Sequence, residues 1–394
     1  MEKQLKEHFT LLTVLTPILM MYRLGPLPLI TWLMLFIVSE YIVFCIKCPD
    51  MAKCRVHVPL LLFFLYSLVV SLFRLLGKEF VNFDFNAFLN YHFSLCIALI
   101  FGSTWFDYKD AYLWIRKVSV FSTIYIYLQS FVYKATGYVL SGFIPFLQTD
   151  YMESAEKVRL GVAYRPTSVF AEPAGYGTFI ALFILLYIDT EKKQSLPFLA
   201  FLIFGIALSQ SSAGMILVGY IFLMDFLSKM RSGRLERKYM WFFVMALIGF
   251  GILYQMGYID LVVNHLFDKQ NGNIVMASGL TQRVGSNEIV LNELKKSTQS
   301  LLFGVGFRNC DFFLPGLIKF LYFYGLIGTT AFITLNAVLY RDLNTIGRKI
   351  IMLILVMSLF SNAILGVQPI IFYPLIFANE NVATISNHNI GEKI

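Results

Sequence analysis

The sequence predicts an all-α, polytopic integral membrane protein, and three observations carry that expectation. Of its residues 58% are hydrophobic and only 14% charged, with a mean hydropathy of +0.68; a soluble domain runs nearer half apolar and a quarter charged. Apolar runs long enough to approach a bilayer crossing recur along the whole length. Those runs are continuous and lack the ten-residue alternation of a membrane barrel strand, so helix is the only viable spanning element. No internal repeat, low-complexity stretch or soluble domain interrupts them, and 1–394 reads as a single transmembrane domain. Phe9–Tyr22 is followed at once by a second apolar run with no A-x-A-like site, so no cleaved signal peptide is expected.

About 12 spans are expected, at roughly 8–22, 27–46, 58–76, 85–104, 118–136, 174–189, 196–209, 213–228, 239–258, 314–340, 350–366 and 367–379. The first, sixth, seventh, eighth and last fall short of the ~20 residues of a perpendicular crossing. With the N-terminus inside, more than half of the 32 lysines and arginines fall in inner segments, and the short outer loops hold only Arg23, Arg74 and Lys78. The positive-inside bias therefore places both termini in the cytoplasm. It also accounts for the net charge of +8, so no nucleic-acid partner is expected. Two long outer segments remain, 137–173 and 259–313, both mixed in composition and expected to fold onto the membrane face. Within the second, 283–300 reads as a helix with Val284, Ile289, Leu291 and Leu294 on its apolar side.

The candidate chemistry gathers in those outer segments. Arg165 and Glu172 precede the sixth span, each followed by a proline. Residues before proline are pushed to extended backbone, and Pro173 is suited to start a helix. Glu172 then has two readings: a carboxylate at the favourable end of a helix dipole, or a general base. Further cations are Arg283, Arg308 and, just inside the tenth span, Lys319, which either snorkels to the interface or faces a polar cavity. Arg308 follows Gly304-Val305-Gly306, a turn or a place where backbone approaches a ligand, and precedes Asn309. No G-K-[ST] follows, so it is not a P-loop. Ser209 and Ser211 lie in a hydroxyl-rich outer turn that suits phosphate or sugar, and equally a plain helical hairpin.

Five cysteines are scattered and form no disulfide framework. Cys45, Cys48, Cys54 and His57 have the spacing C-x2-C-x5-C-x2-H, but Cys45 falls within the second span; no metal site is expected. His265 with Asp260 and Asp268 is a poor cluster. Glu40 lies inside the second span, where an ionised acid costs about 2.5–3.5 kcal/mol on insertion scales, so a pairing partner is expected.

RPTSVFAEPAGYG before a span, LSQSSAG between two short spans, TQR in the second outer segment, FGVGFRN closing it and YGLIG in the next span together resemble the O-antigen ligase/polymerase superfamily, which includes Wzy-type polymerases of bacterial surface polysaccharides. The motifs span about 160–340, and the hydropathy likeness covers the whole chain. The resemblance departs in two places. Many members carry a basic residue after the serine of the hydroxyl-rich turn, absent from SQSSAG, and the family's ligases carry a histidine in the last large outer segment, where only His265 stands in unlike surroundings. This points to polymerase over ligase. The resemblance implies a GT-C-like fold in the bacterial cytoplasmic membrane and glycosyl transfer on its outer face, between two undecaprenyl-diphosphate-linked oligosaccharides. It implies neither metal nor other cofactor; flippase and chain-length-regulator partners are conceivable. Arg165, Arg283, Arg308 and Lys319 would stabilise the departing diphosphate, Glu172 would deprotonate the acceptor hydroxyl, and Tyr151, Tyr164 and Tyr176 would stack on sugars or serve as interfacial aromatics. The alternatives are ligase-type transfer to another acceptor, and a flippase or transporter of the same lipid-linked glycan.

Overall fold

The computed structural model describes residues 2–49, 56–76, 83–149, 151–161, 163–191, 194–231, 251, 267–270, 273–276, 278–308, 314–361 and 363–377. Helices dominate. In chain order they are α1 (Glu2–Leu19), α2 (Leu29–Lys47), α3 (Val58–Leu75), α4 (Phe85–Phe101), α5 (Tyr108–Thr136), the short α6 (Ser154–Arg159), α7 (Pro173–Thr190), α8 (Leu196–Leu208) and α9 (Ser212–Arg231). After them come α10 (Ser278–Lys295), α11 (Thr298–Phe303), α12 (Gly316–Asp342), α13 (Thr345–Ser358) and α14 at 369–377. Among the described residues, 5 helices are long and apolar enough to cross a membrane: α2, α3, α7, the Ser212–Met230 part of α9, and α12. The protein is thus a helical, membrane-type chain. The expected span at 239–258 lies outside the described residues.

Burial separates these helices into two kinds. The apolar window of α7 is 72% buried, against 28% for α2 and for α3. A helix that is apolar all round and surrounded by protein is a core element, whereas one with an apolar exposed face suits lipid. The core position of α7 rests on glycines. A Cβ at Gly214 would lie 2.7 Å from Gly177 Cα, so α7 and α9 cross backbone on backbone, the small-residue contact that lets apolar helices associate closely. Glu40 has its expected partner: its Oε2 lies 3.2 Å from His8 Nδ1 of α1.

One helix is broken. Gly325, inside α12, has φ 64° and ψ −164°. The break leaves carbonyls of the preceding turn without helical partners. Val305 N–H donates to Tyr322 O at 2.8 Å and Gly306 N–H to Phe323 O at 3.0 Å. Cβ atoms at Gly304 and Gly325 would collide with the facing backbone, and all three glycines, Gly304, Gly306 and Gly325, have positive φ. The sequence suggested one uninterrupted span at 314–340; Gly325 divides it.

The two long segments, 137–173 and 259–313, hold regular structure among their described residues. Gln148–Thr149 pairs with Tyr22–Leu24, which also pairs with Leu27–Pro28, in a small antiparallel sheet. Buried Gln129 of α5 ties both arms of the first segment: its Nε2 donates to Leu140 O at 3.0 Å and its Oε1 accepts from Ser168 N–H at 2.8 Å. In the second segment Phe267–Gln270 and Asn273–Met276 form an antiparallel pair. The helix expected at 283–300 begins earlier, at Ser278, and stops at Lys295, where Ser297 caps α11 by accepting from Ser300 N–H at 3.0 Å. Among its described side chains Val290 and Leu294, four apart, are buried, whereas Ile289 and Leu291 are exposed.

Candidate active site

The stretch before α7 has the backbone its prolines dictate. Glu172 is the N-cap residue, extended at φ −146° and ψ 155°, and Pro173 occupies the first turn. Its main-chain carbonyl accepts from Gly175 N–H at 3.1 Å and Tyr176 N–H at 3.3 Å, while its side chain makes no capping hydrogen bond. The carboxylate is exposed instead of folded back onto the helix. Arg165 is half-buried, and its Nη2 donates to Gln210 O at 2.6 Å. Gln210 is held at φ 54° in the turn joining α8 to α9. Burial pulls the Arg165 pKa down and the negative charge of Glu172 pushes it back; a guanidinium stays charged under either influence. Between the two, Ser168 is fully buried in the left-handed region at φ 55°.

Glu172 lines a cavity of about 700 Å³, a volume typical of small-molecule sites. Lys319, from the first half of α12, lines the same cavity, as do Arg23, Asp84, Asn86, Asn90, Tyr151 and Gln368. The remaining lining is mostly apolar, with Phe170, Phe179 and Leu182 from α7 and its approach, Leu365 from the stretch leading into α14, and Ile371 and Phe372 from α14 itself. Lys319 is half-buried, its Nζ 5.4 Å from the Phe323 ring centre. The cavity lies between two groups of helices: α4 packs on α2 and α3, whereas α7 packs on α5, α8, α9 and α13. The cavity-facing ends are those which the charge bias assigns to the outer side.

Other residues singled out by the sequence go elsewhere. Arg308 Nη1 lies 3.4 Å from Glu293 Oε2, which also accepts from Tyr322 O–H at 2.6 Å; Arg308 is not among the lining residues. The close approach that Gly304 and Gly306 permit is made by the chain's own backbone, not by an open ligand surface. Ser209 and Ser211 are buried; Ser209 O–H donates to Ile206 O at 2.8 Å and Ser211 Oγ accepts from Gly214 N–H at 3.1 Å, so the hydroxyls build the hairpin. Tyr176 is 0% exposed and bonded to Thr123 Oγ1 at 2.9 Å, which removes its ring from any sugar-stacking role. Tyr164 is buried against Tyr133 with ring centres 4.1 Å apart, so its ring too is turned inward. Arg283 falls within α10; its side chain, Asn309, Cys54 and His265 lie outside the described residues. His57 stacks on Phe377 at 3.7 Å.

The structure therefore brings together Glu172 and Lys319, with Tyr151 at the same cavity, and holds Arg165 near Glu172 but outside the lining. It adds Arg23, Asp84, Asn86, Asn90 and Gln368, which in the sequence stand out only as polar residues near the end of an apolar run. The chain matches no family model, and no curated protein matches it significantly.

Proposed function

We propose that this chain polymerises oligosaccharide repeat units carried on a polyprenyl diphosphate, by metal-independent glycosyl transfer at the outer face of a bacterial cytoplasmic membrane. The observation that carries the reading is the exposed carboxylate of Glu172 and the ammonium of Lys319 lining one cavity beside an apolar surface. In the reaction, Glu172 accepts the proton of an acceptor hydroxyl. The oxygen forms a bond to the donor's anomeric carbon while the bond from that carbon to the diphosphate oxygen breaks, and the diphosphate departs with the electron pair. A base within hydrogen-bond reach accelerates the first event; cations placed where charge develops stabilise the second. Lys319 and Arg23 are the cavity cations suited to the diphosphate. Arg165 acts through position, joining the approach to α7 to the α8–α9 turn. The apolar lining suits the polyprenyl chain.

The test uses purified protein in detergent, a synthetic lipid-diphosphate oligosaccharide and EDTA. A ladder of longer lipid-linked glycans is expected. No ladder, with movement of the same lipid across a liposome bilayer, would replace the enzyme by a transporter.

A further inference from the structure

The cavity has a polar wall that neither the base nor the leaving-group cations explain. It comes from the beginning of α4, where Asp84, Asn86 and Asn90 all line the space. Asn86 and Asn90 are four apart and so share a helix face. Asn90 Oδ1 accepts from Thr31 O–H at 3.0 Å, which fixes the amide plane and leaves Nδ2 as its donor. Asp84 Oδ1 accepts from Ala87 N–H at 2.9 Å, which orients the carboxylate and leaves its second oxygen to accept. Asn86 is exposed. Carboxamides donate and accept, as hydroxyls do, and a carboxylate adds acceptors. This wall belongs to the α2–α3–α4 group, and the apolar lining at Phe179 and Leu182 belongs to the α7 group across the cavity.

We infer that Asp84, Asn86 and Asn90 are the specificity-determining wall that reads sugar hydroxyls, so that glycan choice is made on α4 and chemistry on α7. The inference rests on the polymerase reading for its ligand. A site built to hydrogen-bond a hydroxyl rejects an analogue lacking it, because its own polar groups are left unpaired. An anionic phospholipid would use Lys319, Arg23 and the apolar lining and would leave the amide wall unengaged.

The experiment compares full-length wild type, Asn86→Ala and Asn90→Ala, using the native repeat-unit lipid, analogues each lacking one hydroxyl, and undecaprenyl diphosphate without sugar. Each variant is expected to raise KM about tenfold, as the loss of one neutral hydrogen bond allows, with kcat within about twofold. Binding of undecaprenyl diphosphate is expected to stay unchanged, and the penalty for one deoxy analogue to shrink. Variants that discriminate among deoxy analogues as wild type does would overturn the inference. So would variants that lose undecaprenyl diphosphate binding in parallel. Asn86 is exposed, so its variant reads recognition even where Asn90→Ala disturbs the contact to Thr31. A wild type that makes no ladder fails the enzymatic reading alone, and direct binding still decides the wall. Loss of glycan-lipid binding with undecaprenyl diphosphate binding retained upholds it; equal binding by wild type and variants sinks it.

Discussion

A carboxylate that makes no cap at its own helix N-terminus can accept a substrate proton, and Glu172 is one. Glu172→Gln keeps the shape and removes the basicity, so transfer should fall by about 10²–10⁴-fold, the usual contribution of a general base, with the protein still in the membrane. Full activity in a ladder assay would reduce the residue to a cap. Tyr164 predicts the opposite behaviour. Its hydroxyl is buried without a hydrogen-bond partner among the described residues, and burial pushes its pKa up to about 12. Tyr164→Phe removes an unsatisfied polar group and should raise stability by about 1 kcal/mol, read as a higher melting temperature in detergent with activity unchanged; reduced activity at equal stability would return the hydroxyl to the substrate. Glu172 and Lys319 were legible in the sequence because prolines fix the one and an apolar span makes the other conspicuous. Tyr176, Ser209 and Ser211 each admit two readings in the sequence, because a polar side chain at a helix end looks the same whether it turns to water or to a neighbouring helix. Asp84, Asn86 and Asn90 could not be read at all, since only packing brings α4 to face α7.

At the level of elements, hydropathy marked the 5 described helices long and apolar enough to cross a membrane, but not the short helices at Ser154–Arg159 and Thr298–Phe303 or the break at Gly325. One glycine in an apolar run is ordinary, and its left-handed φ follows from the partners that Val305 and Gly306 supply. Gly304→Ala forces a Cβ into the Phe323 backbone at positive φ. Strained φ and overpacking each cost on the order of 1–3 kcal/mol, so the variant should lose at least about 2 kcal/mol. An unshifted melting temperature would mean that the two strands of backbone are not held together. Glycine pairs such as Gly177 and Gly214 were likewise visible as letters, with no hint of which helices they join.

Across the whole molecule, polar groups collect at two ends. One end holds the cavity; the other holds ion pairs such as Lys349 to Asp189 at 2.6 Å and Lys229 to Asp225 at 2.8 Å. A carboxylate and an ammonium withdrawn from water together are tolerable where either alone would cost several kcal/mol. The positive-inside bias assigns this second end to the cytoplasm. In a cysteine-free background, Asn86→Cys and Tyr151→Cys should react with an impermeant maleimide added outside intact cells, and Asp342→Cys only after lysis; labelling of Asp342→Cys alone from outside would invert the assigned topology, and labelling of all three would abolish it. The charge pattern predicts which end faces the cytoplasm, whereas nothing in the sequence pairs Asp189 with Lys349 across distant helices.

The backbone bonds from Val305 and Gly306 to Tyr322 and Phe323 also bear on biogenesis. A nascent segment can enter a bilayer by itself only if its peptide groups are satisfied within it. The stretch that carries Lys319 does not meet that condition, because two of its carbonyls are satisfied by amides translated before it. It has to be inserted as part of a pre-assembled unit, which makes the ribosome's order of synthesis, with 304–306 emerging first, a condition of reaching the native state.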